Sequence, residues 1–253
     1  MLRGRMGLGG RMGLGRPMGL VRSRTPDARS TRAAGGRPVA LVYRGPASRP
    51  TGCAESVAAL LASGRHGFDV RYVGPREELP LTAATLAGVA LYAQPGGGTL
   101  ASAWRVMRTA RDPLRAHVAA GGRYLGFCLG GYLAGATPGF GLLPGDTDRW
   151  IDSAGATVGH DGDALLRLDW RGRERELFFQ DGPHFLLDPD AGGTVLARYP
   201  NREVAAAVTP FGAGRVGVVG PHPEAGPDWF SDAGLPGTDA RDLGLQLIDE
   251  VMA

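Results

Sequence analysis

Short apolar segments alternate with amphipathic ones along the chain from Pro38 onward. Four segments are short, apolar and bounded by loop residues, as expected of buried strands: 39–43, 68–73, 88–92 and 124–127. Helices are predicted between them over 53–63 and 100–120, the second one broken or kinked near Asp112-Pro113. Short apolar strands that alternate with helices predict a parallel, doubly wound α/β sheet.

The pattern changes in the second half of the chain. Residues 164–170 and 174–179 flank Arg171-Gly172-Arg173 and are predicted to form a β-hairpin. Three further strands and a closing amphipathic helix are predicted at 194–199, 204–209, 215–219 and 240–252. A parallel first half and an antiparallel second half together predict a flavodoxin-like, doubly wound mixed sheet, with helices on both faces and an added antiparallel hairpin region.

The amino-terminal segment differs from the rest in composition. Residues 1–37 contain nine Arg and one Asp, and the unit Arg-Met-Gly-Leu-Gly occurs twice, at 5–9 and 11–15. Such a segment cannot bury enough apolar surface to offset the entropy of ordering, so residues 1–37 are predicted to be disordered and 38–253 to form the folded domain. No apolar centre of signal-peptide length follows the arginines. A transit-like or membrane-touching arm and an over-extended start, with translation beginning nearer Gly36, both remain open for this segment.

Charge and residue usage exclude several function classes. The 216 residues after the tail hold 19 Arg and 24 acidic residues, so the folded part carries no basic surplus of the kind a nucleic-acid-binding domain needs. The chain contains no lysine, which excludes a P-loop, a Schiff base and a Ser–Lys dyad. Its two cysteines form neither a disulfide framework nor a zinc motif, and no apolar run is long enough to span a bilayer. We therefore expect a cytoplasmic protein with no metal, cofactor, nucleic acid or membrane partner.

One cysteine lies where a strand is predicted to turn into a helix. Gly126-Phe127-Cys128-Leu129-Gly130 matches the Gly-x-Cys-x-Gly form of a nucleophile elbow. Small residues on both sides permit the strained turn, and the helix that follows directs its positive dipole and free N–H groups at the sulfur. Both features favour the thiolate, which is the nucleophilic form. Cys128 is therefore predicted to be a catalytic nucleophile, with a buried small residue in a tight turn as the alternative.

A thiol nucleophile needs a base, and the segment after the last predicted strand supplies one. Pro223 biases His222 toward extended backbone, where residues i and i+2 share a face. Glu224 is therefore predicted to orient the imidazole while His222 faces the sulfur of Cys128.

An oxyanion formed at the nucleophile needs N–H donors that converge on one point. The N–H of Leu129, next to the nucleophile, is one predicted donor. The glycine loop after the third predicted strand lies at the same carboxyl edge of a parallel sheet as Cys128, and this edge is where such sheets bind ligands. Gly97 is the preferred second donor and Gly96 the next choice.

Three further residues are predicted to bind substrate: Gly98, Tyr132 and His184. Gly98 belongs to the glycine loop, and Tyr132 follows the nucleophile on its helix. His184 lies in a Gly-Pro-His segment, for which a pocket wall and a surface turn are equally favoured. Cys53 is predicted to begin the first helix near the same sheet edge, and a structural role is favoured there over chemistry.

These motifs together resemble the class I glutamine amidotransferase-like superfamily. The matching segments are Pro-Gly-Gly-Gly at 95–98, Gly-x-Cys-x-Gly at 126–130 and His-Pro-Glu at 222–224. Within it, three softer patterns are similar to the amino-terminal domain of biotin–protein ligases and its stand-alone bacterial form: Val-Tyr-Arg-Gly-Pro at 42–46, Gly-Gly-Tyr at 130–132 and Gln-Asp-Gly-Pro-His-Phe at 180–185. The resemblance covers about residues 38–225.

The resemblance implies a Cys–His–Glu triad of Cys128, His222 and Glu224 that acts on a small carboxamide or acyl substrate through a thioester. It also implies an ammonia-accepting or acyl-accepting partner protein. The biotin ligase reaction does not carry over, because its catalytic domain and its lysine are missing. Two alternatives remain: a non-catalytic ligand-binding or regulatory module of the same fold, and the intracellular-peptidase branch, which commonly places its acid elsewhere.

Overall fold

The computed structural model describes residues 36–253, and the four apolar segments of the first half form neighbouring strands there. Among the described residues the strands are, in chain order: β1 (Val39–Tyr43), β2 (Asp69–Val73), β3 (Leu91–Gln94), β4 (Arg123–Phe127), β5 (Gly145–Arg149), β6 (Ala164–Trp170), β7 (Arg173–Phe179), β8 (Pro183–Leu187), β9 (Thr194–Arg198), β10 (Val204–Phe211) and β11 (Gly214–Val219). The helices are α1 (Gly52–Ser63), α2 (Ala83–Leu86), α3 (Leu100–Met107), α4 (Arg111–Ala119), α5 (Leu129–Ala134), α6 (Pro227–Asp232) and α7 (Arg241–Met252).

All eleven strands belong to one mixed sheet. Its main path runs β2-β1-β3-β4-β11-β10-β9-β6-β7, while β8 pairs with β10 and carries β5 on its other side. The pairings from β2 to β11 are parallel, and those from β11 onward are antiparallel. The strand β11 therefore joins a doubly wound half to an antiparallel half, and it lies beside β4.

Helices cover both faces of the parallel half. On one face α1 and α7 pack through apolar side chains such as Leu60 and Leu247 into the first core cluster. On the other face α3, α4 and α5 pack through Met107, Leu114 and Leu133 into the second. The side chains of both clusters are buried. Their packing holds the carboxyl ends of β3, β4 and β11 in a fixed arrangement.

This architecture confirms the predicted mixed α/β sheet with helices on both faces and an antiparallel hairpin region. The hairpin of β6 and β7 turns at Arg171 and Gly172, which both have positive φ, as a two-residue hairpin turn requires. The strand predicted at 88–92 begins three residues later, at Leu91, because Gly88 (φ +76°) still belongs to the preceding turn.

The long helix predicted over 100–120 is two helices. A 3₁₀ segment at Arg108–Ala110 separates α3 from α4, so the break precedes Asp112-Pro113. Pro113 lies in the first turn of α4, where its missing N–H has no partner within the helix in any case. The predicted break near Asp112-Pro113 is therefore present, and it falls a few residues earlier, at 108–110.

Two strands and two short helices were not predicted from the sequence. The strands β5 and β8 pair with each other, and α2 and α6 are short helices near the sheet. The strand β5 has no buried residue, so no apolar alternation marks it.

The predicted disordered segment 1–37 falls mostly outside the described residues, which begin at Gly36. Arg37 is part of the ordered structure, because its guanidinium donates to the carbonyl oxygens of Gly67 (2.7 Å) and Phe68 (2.6 Å). No helix within residues 36–253 combines the length and the apolar character needed to cross a membrane.

Trp150 tests the packing of the antiparallel half. Its side chain is fully buried, stacks on Tyr199 at 4.3 Å between ring centroids and meets Phe179 edge-on. Replacing Trp150 by Ala removes these contacts and leaves a cavity, so the free energy of unfolding is expected to fall by about 3–5 kcal/mol in urea denaturation. Val106→Ala, at a side chain 46% exposed, is the control and should change it by less than about 0.5 kcal/mol. Equal effects of the two substitutions would contradict the packing described.

Candidate functional site

Two neighbouring parallel strands bring distant parts of the chain together at one sheet edge. The strand β4 ends at Phe127, which is in register with Val219 at the end of β11. Cys128 follows β4 directly, and its backbone N–H donates to the carbonyl of Val219 at 2.8 Å. His222 lies three residues beyond Val219. The pairing of these strands therefore places both chain segments at the carboxyl edge of the sheet.

The backbone at Cys128 is strained in the manner of a nucleophile elbow. Its φ of +46° and ψ of −105° lie outside the regions that side-chain-bearing residues favour. A Cβ at Gly126 would lie 2.4 Å from the carbonyl oxygen of Gly130, and a Cβ at Gly130 would lie 2.0 Å from that of Gln94. The two glycines are therefore required for the sharp turn from β4 into α5.

His222 and Glu224 form a buried pair beside this turn. The Nδ1 atom of His222 lies 2.9 Å from Oε1 of Glu224, and the two side chains are 2% and 0% exposed. The backbone N–H of His222 donates to the carbonyl of Phe178 at 2.8 Å, which fixes the segment against β7. Because a carboxylate only accepts, Nδ1 is the nitrogen that donates to Glu224.

The second imidazole nitrogen is directed toward Cys128. The Nε2 atom is buried and has no hydrogen-bond partner within residues 36–253, and the charge of Cys128 acts on the ring. A Cβ at Gly96 would lie 2.8 Å from Cε1 of His222 and 3.3 Å from Cβ of Cys128. Gly96 thus lies against both side chains, and any larger residue there would displace one of them.

The surroundings of His222 decide its protonation. Burial alone would lower its pKa, but the carboxylate of Glu224 and the charge of Cys128 outweigh burial and raise the pKa from 6.5 to about 10. The rings of Phe178 and Trp229 lie 6.0 and 5.1 Å from the imidazole centroid and complete its packing. The imidazole is therefore held in one orientation and favours its charged form.

A cleft of about 570 Å³ opens in front of Cys128. Its lining combines the glycine loop, the start of α5, the end of β5 and the turn after β7, through these residues: Gly97, Gly98, Thr99, Leu100, Cys128, Leu129, Tyr132, Thr137, Thr147, Asp148, Arg149, Asp161, Gln180 and Asp181. Its volume suits a small molecule.

Both preferred oxyanion donors lie at this cleft. Leu129 is the first residue of α5, so its N–H has no partner within the helix. Gly97 has a φ of +95°, and a Cβ there would lie 2.3 Å from the carbonyl oxygen of Arg49. Gly97 can therefore only be glycine. Gly96, the second choice as a donor, packs against the imidazole and does not line the cleft.

Of the residues predicted to bind substrate, the structure brings two to the cleft. Gly98 is exposed at its rim, and Tyr132 lines it with its hydroxyl donating to the carbonyl oxygen of Asp181 at 3.1 Å. Burial raises the pKa of Tyr132, and the charges of Cys128 and Asp181 raise it further, so the phenol stays neutral.

His184, the third predicted substrate contact, is placed elsewhere. It lies within β8, buried, with Nδ1 3.1 Å from Oε2 of Glu203, and it is not among the cleft residues. The prediction that His184 binds substrate is corrected accordingly. Both alternatives weighed for it, pocket wall and surface turn, assumed a loop, but strand pairing with β5 draws the segment into the sheet.

Nine of the fourteen described cleft-lining residues were assigned no role from the sequence, and Gln180, Asp181 and Arg149 are the most closely connected of them. The carbonyl oxygen of Gln180 lies 3.5 Å from the Cys128 sulfur. The carboxylate of Asp181 accepts from Arg149 at both Nε (2.6 Å) and Nη2 (2.9 Å). The Gln-Asp-Gly-Pro run at 180–183 was a usable turn signal. Arg149 ends the unpredicted strand β5, and nothing in the local sequence marks it.

Cys53 lies at the start of α1, as predicted, and is 5% exposed. Burial raises the pKa of its thiol to about 12, with the charges of Glu224 and Cys128 adding to the effect. The two cysteines are therefore electrostatically linked but differ in access, since Cys128 lines the cleft and Cys53 does not. Within residues 36–253 no group of three His, Cys, Asp or Glu side chains is placed to hold a metal ion.

Comparison with known proteins agrees with this fold. The family model described as the amino-terminal part of biotin–protein ligase matches residues 39–144. The crystal structure of a Thermoplasma acidophilum protein, described as part of a GMP synthase, has a TM-score of 0.54 at 12% identity, over 85% of this chain and 94% of that one. No curated protein matches the chain.

A second solved structure is similar over only part of its length. The exo-β-1,4-mannosidase Op5Man5 from Opitutaceae bacterium strain TAV5 has a TM-score of 0.51 at 15% identity, over 84% of this chain and 35% of that one. At such identities the two structures show a shared fold and nothing finer. The family match adds a likeness to the biotin–protein ligase amino-terminal domain across β1 to α5.

Glu224 is predicted to set the protonation of His222. In Glu224→Gln the carboxylate no longer offsets burial, so the pKa of His222 should fall well below its wild-type value of about 10. Titration of the His222 Cε1–H resonance by NMR between pH 5 and 11 measures it. Glu174→Gln, which removes an exposed carboxylate on β7, should leave the titration unchanged. An unaltered pKa in Glu224→Gln would contradict the pairing.

The His222–Glu224 pair is also predicted to make the stability of the folded protein depend on pH. The folded protein holds the His222 proton more tightly than the unfolded chain does, because the folded pKa is raised. Its contribution to the free energy of unfolding is therefore complete below pH 6.5 and lost as pH rises through about 10. The free energy of unfolding, measured by urea denaturation, should fall across this pH range in the wild type and should fall less in Glu224→Gln. Parallel curves for the two proteins would contradict it.

Proposed function

We propose that this protein is a cysteine-dependent amidohydrolase or amidotransferase-like enzyme that acts on a small carboxamide or related acyl substrate through a thioester at Cys128. One observation carries the proposal. A buried histidine is oriented by a buried glutamate and presents an otherwise unpartnered nitrogen toward a cysteine on a strained turn at a cleft. This is the arrangement that nucleophilic catalysis by a thiol requires.

The first half-reaction forms the thioester. The Cys128 thiolate, paired with the His222 imidazolium, attacks the carbonyl carbon of the amide, and the carbonyl oxygen becomes an oxyanion. As this intermediate collapses, the C–N bond breaks and the imidazolium gives its proton to the leaving nitrogen. A primary amide therefore leaves as ammonia, and the acyl group stays on the sulfur.

The second half-reaction releases the acyl group. Neutral His222 takes a proton from a water molecule, whose oxygen attacks the thioester carbon. The C–S bond then breaks, which yields the carboxylic acid and restores the thiolate–imidazolium pair. An amine in place of water would give acyl transfer instead of hydrolysis.

Two backbone groups are assigned to the oxyanion. The N–H of Leu129 is free within α5, and the N–H of Gly97 belongs to a loop whose backbone is fixed by its close approach to Arg49. Donors that are already in place stabilise the developing charge without reorganisation, and losing one typically costs 10²–10³ in rate. Glu224 acts through His222 by holding its tautomer and stabilising the imidazolium.

The comparisons support this assignment at the level of the family. The match to the biotin–protein ligase amino-terminal model includes Cys128 and the glycine loop but ends at residue 144, before His222. The proposal does not extend to the ligase reaction, since the sequence has no lysine. The protein described as part of a GMP synthase shares the fold, and an ammonia-releasing reaction is our proposal for this chain. A partner protein would accept the ammonia or the acyl group. This protein and its partner would both be cytoplasmic.

The test is ammonia release from a panel of primary amides that includes glutamine, asparagine, and neutral and cationic alkyl amides. We expect Cys128-dependent release from at least one of them, with a fall of at least about 10³ in kcat/KM for Cys128→Ala and about 10²–10⁴ for His222→Ala. Cys53→Ala is the matched control and should retain activity, because its buried thiol does not line the cleft.

Absence of ammonia release from every amide, together with no acyl-enzyme detected by intact mass after acid quench, would overturn the proposal. A non-catalytic ligand-binding or regulatory module of the same fold would then be the better account. Equal loss of activity in Cys53→Ala and Cys128→Ala would also contradict the assignment of the nucleophile.

A further inference from the structure

The cleft in front of Cys128 carries a marked excess of negative charge. Three of its described lining residues are aspartates, Asp148, Asp161 and Asp181, and one is an arginine, Arg149. The remaining polar lining is neutral, made of threonine and tyrosine hydroxyls and the Gln180 amide. A cleft lined by one sign of charge concentrates ligands of the opposite sign.

Arg149, the one cationic residue among the described lining residues, is already paired with carboxylates. Asp181 binds Arg149 at both Nε and Nη2, and further carboxylates lie 3.5 Å from Nη1 (Asp152) and 3.8 Å from Nη2 (Asp161). The backbone N–H of Arg149 also donates to Asp148 at 2.7 Å. Asp181 already accepts hydrogen bonds from Nε and Nη2 of Arg149. Arg149 therefore has no free pair of N–H groups with which to bind a substrate carboxylate.

The reacting end of the site adds no positive charge to compensate. His222 is 2% exposed, and its unpartnered Nε2 marks where a ligand's reacting group meets the site beside Cys128. The positive charge that His222 favours is paired with the carboxylate of Glu224 at 2.9 Å. Arg149 supplies one positive charge against the carboxylates of Asp148, Asp161 and Asp181, so a net negative charge remains toward the cleft.

We propose that the cleft selects ligands with a cationic group distant from the reacting carbonyl, and disfavours those with a carboxylate there. The inference deepens the proposed function, on which it rests, by naming the substrate class as cationic carboxamides or acyl compounds such as aminoalkyl amides. Glutamine and asparagine, which carry an α-carboxylate beside their ammonium group, are poorer ligands because that carboxylate finds no free partner.

The test compares two thiol reagents of similar size and opposite charge. A thiolate attacks a methanethiosulfonate at its sulfenyl sulfur, forms a mixed disulfide and expels methanesulfinate. The trimethylammonium-ethyl and the sulfonato-ethyl reagents would be reacted with the full chain, and modification of Cys128 followed by peptide mapping. The ratio of the two rate constants is divided by the same ratio for free 2-mercaptoethanol, which removes intrinsic reactivity.

We expect the normalised ratio to favour the cation by about tenfold or more at low salt and to fall as salt is added. The double variant Asp148→Asn/Asp161→Asn should bring the normalised ratio toward one, because two carboxylates of the cleft are removed. Asparagine at 148 can still accept the hydrogen bond from the Arg149 backbone, so the local structure is kept. Glu174→Gln is the matched control, because Glu174 (74% exposed side chain) resembles Asp161 (77%) in exposure but lies outside the cleft.

A normalised ratio of one or below would overturn the inference, as would an unchanged ratio in the double variant. Failure of both reagents to modify Cys128 would overturn it too, because the cleft would then admit no charged ligand of this size. Labelling needs only the thiol and no amide turnover. A cation preference without ammonia release would therefore remove the proposed reaction alone, and ammonia release without a preference would remove the charge inference alone.

Discussion

The parallel pairing of β4 with β11 is the constraint on which the site depends. The two strands are distant in the chain, and six strands lie between them in sequence, yet their last residues, Phe127 and Val219, are in register. A slip of one residue would turn every side chain of a strand to the opposite face. The hydrogen bond from the Cys128 N–H to the carbonyl oxygen of Val219 opposes such a slip. Cys128 and His222 are thus brought together by the backbone pairing of two core strands.

The second constraint is the burial of a charged pair. Removing an imidazolium and a carboxylate from water is costly, and the cost is offset only where their geometry is good. His222 and Glu224 are joined by a hydrogen bond of 2.9 Å, and Phe178 and Trp229 pack around the ring. The second carboxylate oxygen of Glu224 is buried and has no hydrogen-bond partner among the described residues, so part of the cost is not offset. In a site that excludes water, charges act on each other more strongly than in solution. The same burial that makes the pair costly therefore strengthens the electrostatic interaction between His222 and Cys128.

Much of the site follows from local sequence, because local backbone chemistry determines it. The glycine spacing around Cys128 is required by a turn that a side chain would block, and the two-residue spacing of His222 and Glu224 in extended backbone puts both on one face. What could not be predicted depends on long-range pairing. The polar strand β5 carries no apolar alternation, so Arg149 and its contact with Asp181 had no signal in the sequence. The burial of His184 beside Glu203 depends on the pairing of β5 with β8, which no local pattern indicates. His184 was therefore expected at the site.

The central claim is that His222 activates Cys128. The most direct measurement is the rate of alkylation of Cys128 by iodoacetamide at pH 6, where an ordinary thiol is only about 0.3% ionised. The account predicts that wild-type Cys128 reacts at least about tenfold faster than free cysteine and that His222→Ala removes this advantage, while buried Cys53 stays unmodified in both. Equal rates for wild type and His222→Ala would contradict it, because the histidine would then have no effect on the nucleophile.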